Sequence, residues 1–265
     1  MTVLFDGSFD GLLTIVYAYY YEKLRPVRIV DESLFQPQIG EEYQRVETDF
    51  EKAKKVSAAI LEKISFEVYE AVYSAFLSSE PDRFLHILKY IVLAFSVNTA
   101  VERYEKYDYV ATVRKYAKYT WKEAHLLKGF TRFSETRGGI LYAEISPKNN
   151  VLPILAEHFA DRLSGEKWII RDTLRNIAAV YERGSWIQVP CERLSFEYAD
   201  CEDTYKLLYA LFHKTIAVED RISNKRQRHM LPLRFRKNMF EFSEKYKHVG
   251  TDGEGEDDRE GEKKD

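Results

Sequence analysis

Three successive stretches of helically spaced apolar residues between Thr48 and Val97 constrain the fold more than any other feature of the chain. In FEKAKKVSAAILEKI the positions Phe50, Ala53, Val56, Ile60, Leu61 and Ile64 share one side of a helix, and Thr48-x-x-Glu51 ahead of them has the pattern of a capping box. A second helix is expected through Val68, Val72, Tyr73, Phe76 and Leu77. A third starts near Pro81, which suits a first helical turn, and reaches Val97. These segments are apolar on more than one face, as helices at the centre of a domain are. Another helical pattern covers 101–119 and ends near Gly129.

Beyond Gly129 the period changes. FTRFSETRGGILYAEISP alternates on both sides of Arg137-Gly138-Gly139, which reads as a hairpin. An amphipathic helix follows over 151–163, then KWIIRD, IAAVYE and SWIQVP as short strands, then a last helix over about 202–218. Near the N-terminus, 27–30 reads as a short strand and DESLFQPQIGEE as a loop. The expected fold is α+β, a helix-rich N-terminal half packed with a small mixed or antiparallel sheet in the C-terminal half. One globular domain over 1–249 is expected, with a helical subregion at 47–130 and a mixed one at 131–245.

Two cysteines, Cys191 and Cys201, without Cys-x-x-Cys spacing, point away from a disulfide framework and from a Cys-based zinc site. The most apolar run, 84–97, is interrupted by His86 and Lys89, and no basic segment leads into an apolar one near Met1. A cytoplasmic protein with no membrane partner and no cofactor is expected. The net charge of -3 is uneven: 250–265 holds eight acidic and three basic residues, leaving about +2 on 1–249. The tail has no apolar side chain to offset its ordering entropy and is expected to be disordered, solubilising the chain or competing with nucleic acid for a basic surface.

The stretch LFDGSFDGLLTIVY poses three readings. A phosphate loop would need a glycine-rich fingerprint, which is missing, and would not place Asp6 and Asp10 against phosphate. A turn whose Ser8 or Asp10 caps a helix needs only what is there. The third reading keeps Asp6 and Asp10 as carboxylates facing a cleft, with His125 as a partner in acid-base chemistry. Glu123, His125, His158 and Asp161 are the residue types of a metal site, but their spacing matches no ligand motif, so no metal is expected.

Cations and rings interleave in YAKYTWKEAHLLKGFTRFSETRGG: Lys118, Lys122, Lys128, Arg132 and Arg137 among Tyr116, Tyr119, Trp121, Phe130 and Phe133. That mixture offers charge to phosphates and planes to bases. Trp121, His125 and Lys128 can share one helix face. A second basic block, RISNKRQRHMLPLRFRK, includes Arg226, Arg228, Arg234 and Arg236 without an acidic residue and reads as a backbone-contacting patch. Each region also fits a solvated basic rim or a surface for an acidic protein partner.

LFDGSFDGLLTIVY, WKEAHLLKGFTRF, LYAEISPKNNVLPILAEHFADRL, KWIIRD and MLPLRFRKNMFEF, in this order, resemble the DNA metabolism protein family, a domain of unknown function. Asp6, Gly7, Gly11, His125, Lys128, Gly129, Arg132 and Phe133 fall in its most recognisable positions. The resemblance implies a setting in DNA repair or modification. Members stand beside a radical S-adenosylmethionine protein or are fused to a uracil-DNA glycosylase domain, and this chain resembles the stand-alone form. No catalytic residue is implied. The expectation is a DNA-binding accessory protein, with contacts from Trp121, His125, Lys128, Arg132, Phe133, Arg137, Arg226, Arg228, Arg234 and Arg236. The alternatives are an enzyme acting on a damaged base or nucleotide through Asp6, Asp10 and His125, and a protein-interaction scaffold.

Overall fold

In the computed structural model, which describes residues 1–37, 40–192, 197–215, 231–243 and 245, the chain divides into two compact units. The first comprises Met1–His125 with Lys148–Val151. The second comprises Leu126–Pro147 and the described residues from Leu152 onward.

In the first unit, strand β1 (Thr2–Phe5) is buried along its whole length because TVLF pairs a β-rich run with no charge to hydrate. It lies between β2 (Arg28–Asp31) and β3 (Tyr43–Arg45), parallel to both, with Phe5 opposite Asp31 and Leu4 opposite Arg45. A parallel pair needs a crossover, supplied between β1 and β2 by α1 (Phe9–Tyr21). Gly7 makes the turn into α1 at φ +74°, where a Cβ would stand 2.3 Å from Asp31 Oδ2. Ser8 then caps α1, its Oγ accepting the Gly11 N–H at 2.9 Å. Strand β3 is the element that the sequence hides: Tyr-Gln-Arg is exposed at all three positions and has no apolar alternation to betray it.

Helices α2 (Phe50–Lys63), α3 (Phe66–Phe76) and α4 (Arg83–Val97) follow. The cap of α2 is Asp49 rather than Thr48: its Oδ1 accepts from the Glu51 and Lys52 N–H groups, each at 3.0 Å. Thr48 is drawn away because its hydroxyl donates to Asp6 Oδ2 at 2.8 Å. Helix α3 is capped by Ser65, and α4 ends where Asn98 turns to φ +54°. The run Arg83–Arg103 has the length and composition of a membrane-crossing helix, and Phe84, Ile87, Leu88, Tyr90, Ile91, Ala94 and Val101 from it enter the core of this unit. Each large apolar side chain buried in this way contributes roughly 1.5–3 kcal/mol. Phe5 and Phe84 meet edge to face at 4.9 Å, joining sheet to helix.

Helix α5 (Asp108–Phe130) begins later than its sequence pattern, since Asn98–Arg103 forms a 3₁₀ turn first. The second unit is built on one sheet of order β4-β5-β6-β7-β8, comprising β4 (Ser134–Glu135), β5 (Leu141–Ile145), β6 (Trp168–Asp172), β7 (Ile177–Glu182) and β8 (Ser185–Pro190). The hairpin around Arg137 is present as β4 and β5. The sheet is mixed because α6 (Leu152–Arg162) carries the chain across from β5 to a parallel β6, while every other pairing is antiparallel. Trp168 and Tyr181 stack at 5.0 Å between β6 and β7. Residues 197–199 run along β4, and α7 (Glu202–Thr215) follows, its Glu202 accepting the Glu135 N–H at 3.0 Å. The protein is thus α+β. Arg226, Arg228 and the acidic segment 250–265 lie outside the described residues.

Candidate nucleic-acid interface

Helix α5 has two faces of different chemistry. Val110, Val113, Tyr116, Ala117, Thr120, Ala124 and Leu127 recur at helical spacing and are buried. Two polar groups on this side fix the helix within the first unit. Tyr116 donates its hydroxyl to Asp82 at 2.8 Å, and burial together with that carboxylate raises its pKa well above the ordinary phenol value. Glu123, only 3% exposed, accepts the backbone N–H groups of Lys148 and Asn149 at 2.9 and 2.8 Å and the Asn149 side-chain amide at 2.7 Å. Asn149 Oδ1 in turn accepts the Ser79 N–H at 3.1 Å, so one carboxylate stitches 148–149 to the chain ahead of α4.

The other face carries Lys115, Lys118, Tyr119, Trp121, Lys122 and His125, all exposed, with Tyr119 at 54% and Trp121 at 37%. None of the three lysines has a carboxylate partner among the described residues. The reason lies in the sequence: between Tyr109 and Arg132 the single acidic residue is Glu123, and the helical period sends it inward. The outer face is therefore left with cations and rings. Lys115 Nζ lies 6.0 Å from the Tyr119 ring centroid, one of the weak cation-π contacts that space such side chains along a helix. Lys115 completes a stripe of which Lys118, Lys122 and His125 were apparent in the sequence; its position three residues before Lys118 was the signal for it.

The other expected contacts are placed differently. Lys128 is half-buried in the second unit, where burial, then Lys128 and Arg162, push the His158 pKa below its usual value. Arg132 gives Nε and Nη2 to Glu241 Oε1 at 3.0 and 2.8 Å, in an ion pair largely shielded from solvent. Phe133 packs edge to face on Phe159 at 5.0 Å. Arg137 is exposed and bridges Glu197 and Asp200, each at 2.9 Å. Arg234 lies over Phe235 at 4.7 Å and Arg236 over Phe242 at 4.6 Å.

The two aspartates of the opening stretch differ in their surroundings. Asp6 accepts from the Ser8 N–H at 2.9 Å, the Ser8 hydroxyl at 2.6 Å and Thr48 at 2.8 Å. Burial pushes its pKa up, but these hydrogen bonds outweigh burial and hold the carboxyl below its usual value. Gly11 is needed beneath it, since a Cβ there would come within 2.5 Å of Asp6 Oδ1. Asp10 sits in the first turn of α1, where a negative charge suits the helix dipole. No hydrogen bond or ion pair among the described residues joins Asp6, Asp10 and His125 to one another. No cluster of three His, Cys, Asp or Glu side chains that could hold a metal occurs among the described residues.

Among families, a model of DUF4130, a domain of unknown function, matches residues 81–241, more than half of the chain. No curated protein and no solved structure matches it. The matched span begins at the head of α4 and includes all of α5 and most of the second unit.

Proposed function

This chain belongs to the DUF4130 family, and on that premise we propose that it is a nucleic-acid-binding accessory protein of DNA repair or modification, whose contact surface is the outer face of α5. One observation carries the reading: the single carboxylate in 109–132 is buried, so Lys115, Lys118 and Lys122 stand among Tyr119, Trp121 and His125 with no carboxylate partner among the described residues. Lysines so placed release counterions on meeting a phosphate backbone, and exposed rings give unpaired bases a surface to stack on. The sequence resemblance to the DNA metabolism protein family supplies the DNA setting. It also supplies the class of enzyme served, a radical S-adenosylmethionine protein or a uracil-DNA glycosylase.

An enzyme built on Asp6, Asp10 and His125 gains no support from the hydrogen bonding. A carboxylate that three donors keep ionised is poorly suited to pass protons near neutral pH. Fluorescence anisotropy with labelled DNA at low salt tests the accessory reading. The wild type is expected to bind, and K115A/K118A/K122A to lose more than ten-fold in affinity on single and double strands alike. No measurable binding by the wild type would contradict it.

A further inference from the structure

The second unit contains a pocket of about 520 Å³ that the face of α5 does not use. Its floor is one face of the mixed sheet, where register sets Glu144 of β5 beside Arg171 of β6. Four lining residues are cations, Arg132, Arg171, Lys206 and Lys237, and three carboxylates, Glu144 in the lining with Glu241 and Glu202 behind it, balance three of them. Three of the four are held in place: Arg171 by Glu144 at 3.1 Å, Arg132 by Glu241 at 2.8 Å and Lys206 by Glu202 at 3.4 Å. The fourth, Lys237, is exposed and has no carboxylate partner among the described residues. The charge in excess of these pairs is therefore that of Lys237, in a pocket whose other cations are paired and largely shielded from solvent.

Rings are set beside one of these cations. Lys206 Nζ lies 4.4 Å from the centroid of Tyr198 and 6.0 Å from that of Phe240, so two aromatic groups flank one ammonium. A planar group entering there meets ring surface and cation together. The volume falls within the roughly 300–1,000 Å³ typical of small-molecule sites.

We propose that this pocket binds a single nucleotide, its phosphate held by Lys237 and Lys206 and its base against Tyr198 and Phe240. The choice of a nucleotide over another planar phosphate rests on the nucleic-acid reading above. The nucleotide comes either free or as one unit of a strand, and the two sources share the same chemistry.

Calorimetric titration of the full chain with inorganic phosphate, dAMP and a 5′-phosphorylated trinucleotide decides the matter. The wild type is expected to bind dAMP at least about ten-fold more tightly than phosphate, the increment that base stacking provides. Tyr198→Ala should bring dAMP down to the level of phosphate, and Lys237→Ala should weaken both by several-fold; both side chains are exposed, so the fold is retained. K115A/K118A/K122A should bind dAMP as the wild type does while losing longer DNA, which separates a failure of this site from a failure of the α5 surface. Competition of the trinucleotide with dAMP assigns the pocket to a strand, and its absence assigns the pocket to free nucleotides; either supports the site. Equal affinity for dAMP and phosphate, or dAMP binding unchanged in both variants, would overturn it.

Discussion

Glu123 and His125 stand two residues apart on α5 and have opposite fates. The carboxylate is buried on three amide donors, and the imidazole is in solvent. Removing Glu123 leaves those donors without their acceptor in the interior, so Glu123→Ala should cost about 3 kcal/mol in urea denaturation. Glu123→Gln should recover part of that loss. Helical period alone separates the two side chains in the sequence. The loop at 148–149 that claims Glu123 is twenty-five residues away and carries no local signal, so nothing near Glu123 in the sequence marks it as a buried acceptor. Tyr90 tests burial in another way. It is fully buried with no hydrogen-bond partner for its hydroxyl among the described residues, and burial, with a smaller push from Glu102, raises its pKa from 10.0 to about 12. A phenol whose folded pKa exceeds its unfolded one contributes stability that is complete below pH 10 and is lost as pH rises toward 12. Tyr90→Phe should therefore be at least as stable as the wild type at neutral pH and should lose less stability between pH 10 and 12, by up to about 1 kcal/mol per pH unit.

At the scale of elements, α5 shows how far periodicity reaches. Its buried stripe, its length to Phe130 and its mixture of lysines and rings could all be read from the sequence. Which arginines beyond it remain available could not. Arg132 and Arg137 look equivalent to Lys118 in sequence, yet Glu241, Glu197 and Asp200, which pair with them, are brought in from sixty or more residues away. The capping of α2 shows the same limit on a smaller scale. Thr48-x-x-Glu51 has the right pattern, and the cap moved by one residue because Asp6 takes the Thr48 hydroxyl. Strand β3 went unseen because pairing with the buried β1, rather than its own exposed side chains, makes it a strand. For α5 the rings and the lysines make separable predictions. Trp121→Ala should weaken single-stranded DNA by about five-fold or more through lost stacking and leave duplex DNA nearly unchanged. Equal loss on both would mean that Trp121 supports the helix rather than the ligand, and thermal denaturation of the same variant would then show a lowered Tm.

For the whole molecule, charge placement matters more than the total. A net of -3 gives no hint of a polyanion partner; removing 250–265 from the count leaves about +2, and α5 concentrates three lysines on one face. The salt dependence of DNA binding measures that concentration of charge directly. Each phosphate contact contributes about -0.7 to -0.9 to the slope of log Kobs against log salt. The wild-type slope should be about -2 or steeper, and K115A/K118A/K122A should flatten it by about 2. A slope that the triple substitution leaves unchanged would contradict a contact surface on α5.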